Sequence, residues 1–311
     1  MDWIVRLNQA IAYMEEHMTE EIDYAQVAKI ACCPSLHFQR MFAYIADVPL
    51  PEYIRRRKMS LAAIDLQSGD EKIIDVALKY GYSSPTAFNR AFQSIHGIAP
   101  SRAKEDGVLL KSYPIVSFKL IAKGAEEMEF RIEKHDAIRV VGVSAPLSAD
   151  VEKAYEEGTA LWVKVLFEGA SEDEYGNGKL CSELNAAINV KYSDGSLTKY
   201  NGFFGIETEH NNGGEYMIAV ASPAPESNTL KEYTIPAHTW AVFPGKNFFE
   251  DEENADSFIQ YDGRIYSEWL PSSGYEIADC ISVQFLLPTT DLEKAPFEIW
   301  VPVKKTDSAT G

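Results

Sequence analysis

Long apolar runs, basic excess, paired cysteines and clustered metal ligands are all missing from this sequence of 311 residues. No stretch approaches the roughly 18 apolar residues of a membrane span. Met1, Asp2, Trp3 and Ile4 lead into mixed polarity instead of a secretory core, so the expected compartment is the cytoplasm, with no membrane partner. The four cysteines, Cys32, Cys33, Cys181 and Cys280, have no C-x-x-C spacing and are read as reduced. His17, His37, His96, His135, His210 and His238 are scattered, which argues against a metal site. Gly-x-Ser-x-Gly, His-Glu-x-x-His and phosphate-loop patterns are also missing, so no catalytic residue and no cofactor is assigned. With 29 Lys and Arg against 47 Asp and Glu, the net charge of -18 excludes coating of DNA or an anionic membrane by the whole molecule. A local DNA-reading surface stays open.

What is present is an ordinary globular composition, 46% hydrophobic and 24% charged, with aromatics slightly rich at 12%. At about 150 residues per domain the length suggests two domains. Charge divides them: residues 1–110 carry 12 basic and 14 acidic side chains, net -2, which leaves 17 and 33, net -16, for residues 111–311. The first part has apolar positions three and four apart, as helices require, and the second has alternating runs such as Ile138 to Val143 and Tyr216 to Val220, which suit strands. The polar stretch Lys104 to Gly107 marks the junction. Domains are therefore placed at residues 1–110 and 111–304, with a frayed tail at 305–311.

Helices are expected from Trp3 to Met18, over Ala25 to Ile30 behind the capping Asp23, from Pro34 to Ile45, from Pro49 to Leu66, from Ile73 to Tyr80 and from Pro85 to His96. Helix, tight turn and helix occur twice. In the second helix of the first unit, Phe38, Met41, Phe42 and Ile45 share a packing face, opposite Leu36, Gln39, Arg40 and Ala43. In the second unit, Phe88, Ala91, Phe92 and Ile95 pack, while Pro85 opens the helix and Thr86, Asn89, Arg90 and Gln93 project. Arg suits guanine O6 and N7, and Asn or Gln suits adenine N6 and N7, so both free faces carry residues that can read base edges. His37 is either a phosphate donor or merely exposed.

Gly81-Tyr82-Ser83-Ser84-Pro85, Phe88-x-Arg90-Ala91-Phe92, Gly97-x-x-Pro100 and Tyr53-Ile54-x-Arg56-Arg57-Lys58 together resemble the AraC/XylS family of transcription regulators, over about residues 5–104. The resemblance implies two helix-turn-helix units on one linking helix, reading successive major grooves of double-stranded DNA about 34 Å apart. Within the basic run, it implies that Arg57 is a structural ion-pair anchor, and Arg55 and Arg56 are left to face solvent or DNA.

The second domain reads as strand (Ile115 to Ile121, Glu129 to Ile132, Ile138 to Val143), helix (Val151 to Phe167), an acidic loop near Asp173 to Gly178, then strands at Phe203 to Ile206 and Glu215 to Ala221. A second round follows: a strand at Thr239 to Gly245, a helix from Ala255 to Leu270, and strands at Ser282 to Leu287 and Phe297 to Val303. The fold class expected is thus an all-α double helix-turn-helix domain, plus an α+β domain with pseudo-symmetric strand-helix-strand-strand duplication and a pocket between its halves. Glu298, enclosed by Phe297, Ile299 and Trp300, is a carboxylate that either meets a buried Arg or awaits a cation. Trp300 shares its face, and Trp162, Phe204, Tyr216, Trp240 and Tyr266 are candidates for stacking and cation-π surface.

Trp269-Leu270-Pro271-Ser272-Ser273-Gly274-Tyr275-Glu276, Phe243-Pro244-Gly245 and the closing Phe297-to-Val303 strand resemble GyrI-like small-molecule-binding domains, over about residues 113–304. The combination is similar to Rob-type regulators and implies transcription controlled by a cationic or amphipathic organic effector. Two alternatives remain. A GyrI-like hydrolase would use Glu298 as general base, and a protein-contacting domain would meet RNA polymerase or a gyrase-like partner.

Overall fold

The computed structural model describes residues 3–68, 71–105, 107–118, 127–148, 151–167, 179–210, 213–246, 248, 258–289 and 295–306. The helical part comprises α1 (Trp3–Glu16), α2 (Tyr24–Ala31), α3 (Ser35–Ala46), α4 (Leu50–Gln67), α5 (Ile73–Lys79) and α6 (Pro85–His96). Local chemistry sets these limits. Asp23 Oδ1 accepts from the amides of Ala25 (2.9 Å) and Gln26 (3.1 Å) and so starts α2. Cys32, left-handed at φ 57°, stops it two residues before Pro34. Ser84 caps α6 through the Ala87 amide, and Pro85 supplies its first turn.

The two helix-turn-helix units differ in what covers them. α4, α5 and α6 enclose their own core of Met59, Ala62, Leu66, Val76, Tyr80, Phe88, Phe92 and Ile95. The first unit has no separate core: Leu7, Met14, Phe38 and Phe42 belong to one continuous cluster with Trp162, Tyr216, Tyr266 and Phe297 of the second domain. The connecting segment 108–118 has no strand, although strand is expected from Ile115. It is pinned to the helices instead, with the Tyr113 amide donating to Ser60 Oγ (2.9 Å) and the Phe118 backbone exchanging two bonds with the Asn8 side chain (2.9 and 3.0 Å).

The second domain contains β1 (Arg131–His135), β2 (Ile138–Pro146), α7 (Val151–Phe167), α8 (Lys179–Ile188), β3 (Phe203–His210), β4 (Gly213–Ala221), β5 (Lys231–Ile235), β6 (His238–Gly245) and α9 (Phe258–Arg264). From α9 the chain continues through a π turn (Ile265–Trp269) and α10 (Leu270–Ser272) into β7 (Tyr275–Ile277), β8 (Ser282–Leu286) and β9 (Phe297–Lys305). All pairings are antiparallel, in the order β1-β6-β9-β8-β3-β4-β2-β5, with β7 on β9. Exchanging β1 with β5, β2 with β6, β3 with β8 and β4 with β9 reproduces that order reversed. The expected duplication is therefore a pseudo-twofold running between β3 and β8, in which each half lends its first strand to the other.

α8 and β5 are absent from the sequence expectation, and Lys304 and Lys305, placed there in or beside the tail, belong to β9. The acidic loop at 173–178, the helix start at 255–257 and residues 307–311 lie outside the described residues. Among the described residues, no helix is long and apolar enough to cross a membrane, and no three His, Cys, Asp or Glu side chains are grouped to hold a metal ion.

Candidate DNA-reading helices and sensor site

α6 presents its expected face. Pro85, Thr86, Arg90 and Gln93 are exposed and Asn89 is half-buried, while Phe88, Ala91, Phe92 and Ile95 are buried beneath them. On α4, Arg55 Nε and Arg56 Nε both donate to Glu52, at 2.7 and 2.6 Å. Arg55 also reaches Ser94 Oγ (3.0 Å), and Arg56 lies over the Tyr113 ring. Both are partly exposed yet already paired, so phosphate contact would have to compete with Glu52. Arg57 anchors the domain: its guanidinium grips Glu15 at 2.7 to 3.1 Å, and Tyr53 donates to the same carboxylate (2.7 Å).

α3 departs from expectation. Leu36, His37 and Gln39 are buried, the last two at 1% and 3% exposure, and the Arg40 side chain keeps only 12%. The face expected to be free is turned inward because α3 packs against α7, α9 and β4 of the sensor domain. It lies between α7 and α9, in the space between the two halves where the sequence places a ligand pocket. Gly263 of α9 permits this approach, since a Cβ there would meet the Tyr44 ring of α3 at 2.4 Å. Phe38 and Phe42, fully buried on the other side, each contribute about 1.5 to 3 kcal/mol of burial.

The contact between α3 and the sensor centres on Glu207, which is 1% exposed at the β3 position paired with Tyr216 on one side and Ser282 on the other. Its Oε1 accepts from the His37 amide (3.1 Å), and its Oε2 meets Arg40 Nη2 at 3.3 Å. Asp262, also buried, stands 3.8 Å from His37 Nδ1. Burial pushes the Asp262 carboxyl up to about 6 against the pull of Arg40. Burial, reinforced by the Arg40 charge, takes His37 down to about 3 and keeps its ring neutral. Aromatic rings close the surroundings: Phe258 beneath Arg40 (5.8 Å), Tyr266 edge-on to His37 (4.5 Å), and Tyr216, which accepts from Trp162 Nε1 and donates to Gln284, both at 2.9 Å. Gly205 leaves room for that phenol, whose oxygen would lie 2.4 Å from a Cβ at this position.

The expected ligand residues do not form one site. Strand register puts Tyr216 beside Glu207 on the helix-covered side of the sheet, where Trp162 of α7 and Tyr266 of the π turn join the same cluster. Phe204, Trp240 and Trp300 pack together on the opposite side. Glu298 shares the face of Trp300, and its two oxygens already accept from Arg131 Nη2 (2.7 Å) and Trp300 Nε1 (2.9 Å). It has met an arginine instead of awaiting a cation. Glu207, Asp262 and Gln284 are missing from the sequence expectation. Glu207 follows an apolar run just as Glu298 interrupts one, but only the strand register shows which carboxylate faces the helices.

Two family profiles match the chain. A helix-turn-helix domain profile matches residues 27–106 and the profile of the GyrI-like small molecule binding domain matches residues 128–304, more than half of the chain. Over 95 residues the sequence is 35% identical to the HTH-type transcriptional activator AarP of Providencia stuartii, covering 30% of this chain and 70% of that one. It is 33% identical, also over 95 residues, to the regulatory protein SoxS of Escherichia coli (strain K12), covering 30% and 89%. A solved bacterial transcription regulation protein from Staphylococcus aureus MU50 is similar at 18% identity and TM-score 0.42, over 57% of this chain and 99% of that one. Two helix-turn-helix units on one linking helix, joined to a duplicated sensor sheet, place this chain among the AraC-type transcription regulators that carry a C-terminal GyrI-like small-molecule-binding domain.

Proposed function

We propose that this regulator reads DNA with α6 at all times, and with α3 only when an organic cation takes the place of Arg40 against Glu207. The observation that carries this reading is the Arg40–Glu207 ion pair, which joins a base-reading side chain to the floor of the sensor domain. A guanidinium among Phe258, Tyr266 and a buried carboxylate is itself an example of the ligand chemistry the site accepts, a delocalised cation with apolar flanks. Cation and α3 compete for the same acid, so each must weaken the other by the same factor. Contact with RNA polymerase is assigned to Ile74 and Leu78, exposed apolar side chains one turn apart on α5. The hydrolase alternative draws no support from Glu298, both of whose oxygens are engaged.

The test is a titration of a labelled operator duplex, selected from a random pool by the protein itself, with and without tetraphenylphosphonium as the cation. The expected result is a change in DNA affinity of at least fivefold with cation in the wild type, and none in Glu207→Gln. Cation binding that is indifferent to Glu207→Gln, or DNA binding with no response to any cation, would refute the reading.

A further inference from the structure

Two of the four cysteines meet across the same domain boundary. Cys32 ends α2 in a left-handed conformation three residues before α3 begins, and Cys280 lies two residues before β8; their sulfurs are 2.8 Å apart. Both are free thiols and both are half-buried, unlike the buried Cys33 and Cys181. The two sulfurs lie well inside van der Waals contact, and a disulfide needs only a further contraction to about 2.05 Å. The surroundings polarise the pair. The hydrogen bond from Cys280 is the largest influence drawing the Cys32 thiol down to about 6, burial opposes it, and the Arg6 charge on α1 assists. Cys280 moves the other way, raised first by that same bond and then by burial. Both the contact and the two opposite shifts favour Cys32 as the thiolate and Cys280 as the holder of the proton.

The geometry points to a peroxide-oxidisable dithiol, Cys32 and Cys280, that staples the turn before α3 to the sensor sheet. The Cys32 thiol gives its proton to solvent, the thiolate attacks one oxygen of hydrogen peroxide, an S–O bond forms as the O–O bond breaks, and the leaving hydroxide takes a proton back from solvent to become water. Cys280 then attacks the sulfenic sulfur, an S–S bond forms, the S–O bond breaks, and the departing hydroxide takes up the Cys280 proton. Two thiols and one peroxide yield one disulfide and two waters, with two electrons passing from sulfur to oxygen. Because the bridge spans residues 248 apart in sequence, it holds α3 against β3 and β4 whatever occupies Glu207. A thiol reductant reverses it.

The experiment uses the full-length protein, with no DNA and no effector, so its outcome is independent of the cation reading. After treatment with a few equivalents of hydrogen peroxide, non-reducing digestion and mass spectrometry are expected to find a peptide joining Cys32 to Cys280. The peptide should persist in Cys33→Ser and Cys181→Ser, vanish in Cys280→Ser, where sulfenic acid on Cys32 accumulates instead, and disappear with dithiothreitol. Amide exchange over residues 35–46 should slow at least tenfold in the oxidised form. A Cys32–Cys33 bridge, an intermolecular dimer, or a Cys32–Cys280 bridge that leaves exchange in α3 unaltered would each overturn the proposal.

Discussion

The two helix-turn-helix units have the same order of elements, the same aromatic packing face and the same base-reading residue types, yet one is open and the other shut. α6 rests on a core that α4, α5 and α6 share with Ala103 just beyond them and with nothing from the second domain's sheet, and its polar face lies in solvent. The packing face of α3 is satisfied by Phe38 and Phe42 in a cluster that runs on into the second domain. Its polar face meets a carboxylate whose own burial is tolerable only because Arg40 and the His37 amide reach it. The difference teaches that a reading helix can be masked by its polar residues. In the proposed reading Gln39 and Arg40 equip α3 to meet a base edge, and the polarity of Arg40 is what holds the helix against the buried Glu207.

The strongest disturbance of this asymmetry is removal of the acid. Glu207→Ala leaves Arg40 buried without a partner and should destabilise the docked arrangement by about 3 to 5 kcal/mol. That loss would be read as a lower urea midpoint and faster amide exchange over residues 35–46, with 85–96 unaffected. Next in size are the reading residues themselves. Arg90→Ala should lose about 1 to 3 kcal/mol of operator binding in the resting protein and relax base preference in one half-site. Arg40→Ala should show a comparable loss at the other half-site only when the cation is present. Equal losses in the resting state would erase the distinction between the helices.

Acidity offers a subtler probe. His37 takes up its proton in the unfolded chain near 6.5 and in the folded chain only near 3, so it weakens the docked state as pH falls through that interval. Asp262 works in the opposite sense. It is protonated near 6 when folded and near 3.8 when unfolded, and so strengthens the folded state as pH falls between those values. The two offset each other in the wild type. Asp262→Asn removes the compensation, and its unfolding free energy should fall more steeply than the wild type's between about pH 6 and pH 4. The smallest expected effect is at Glu298. Its partner Arg131 is 42% exposed at the side chain, so Glu298→Gln should change stability by no more than about 1 kcal/mol and leave cation affinity as it was.

How much of this is legible in the sequence follows from the range of the interactions. α6 is readable because its cap, its proline and its aromatic stripe all lie within twelve residues, and local pattern governs a helix whose partners are close in the chain. The duplication is readable because alternation marks strands one at a time. Which strand pairs with which is not, and the exchange of β1 and β5 between the halves leaves no local trace. The masking of α3 is invisible for the same reason: Glu207 stands 170 residues from His37. Glu298 stands out in the sequence for its apolar neighbours, and Glu207 does not. The deciding fact was the face of the sheet, which is set by register, and a strand read singly has two equivalent faces.

The central claim, that one reading face is buried on the sensor while its counterpart is free, is tested most directly by thiol accessibility. Gln39→Cys and Gln93→Cys occupy equivalent polar faces of α3 and α6. Alkylation of each, followed by peptide-resolved mass spectrometry on the reduced, DNA-free protein, compares the two faces within one fold. The account predicts labelling at position 93 at nearly the rate of an unstructured peptide and labelling at position 39 at least a hundredfold slower, with the difference collapsing when Glu207→Ala is added. Equal rates at the two positions in the otherwise wild-type protein would contradict it.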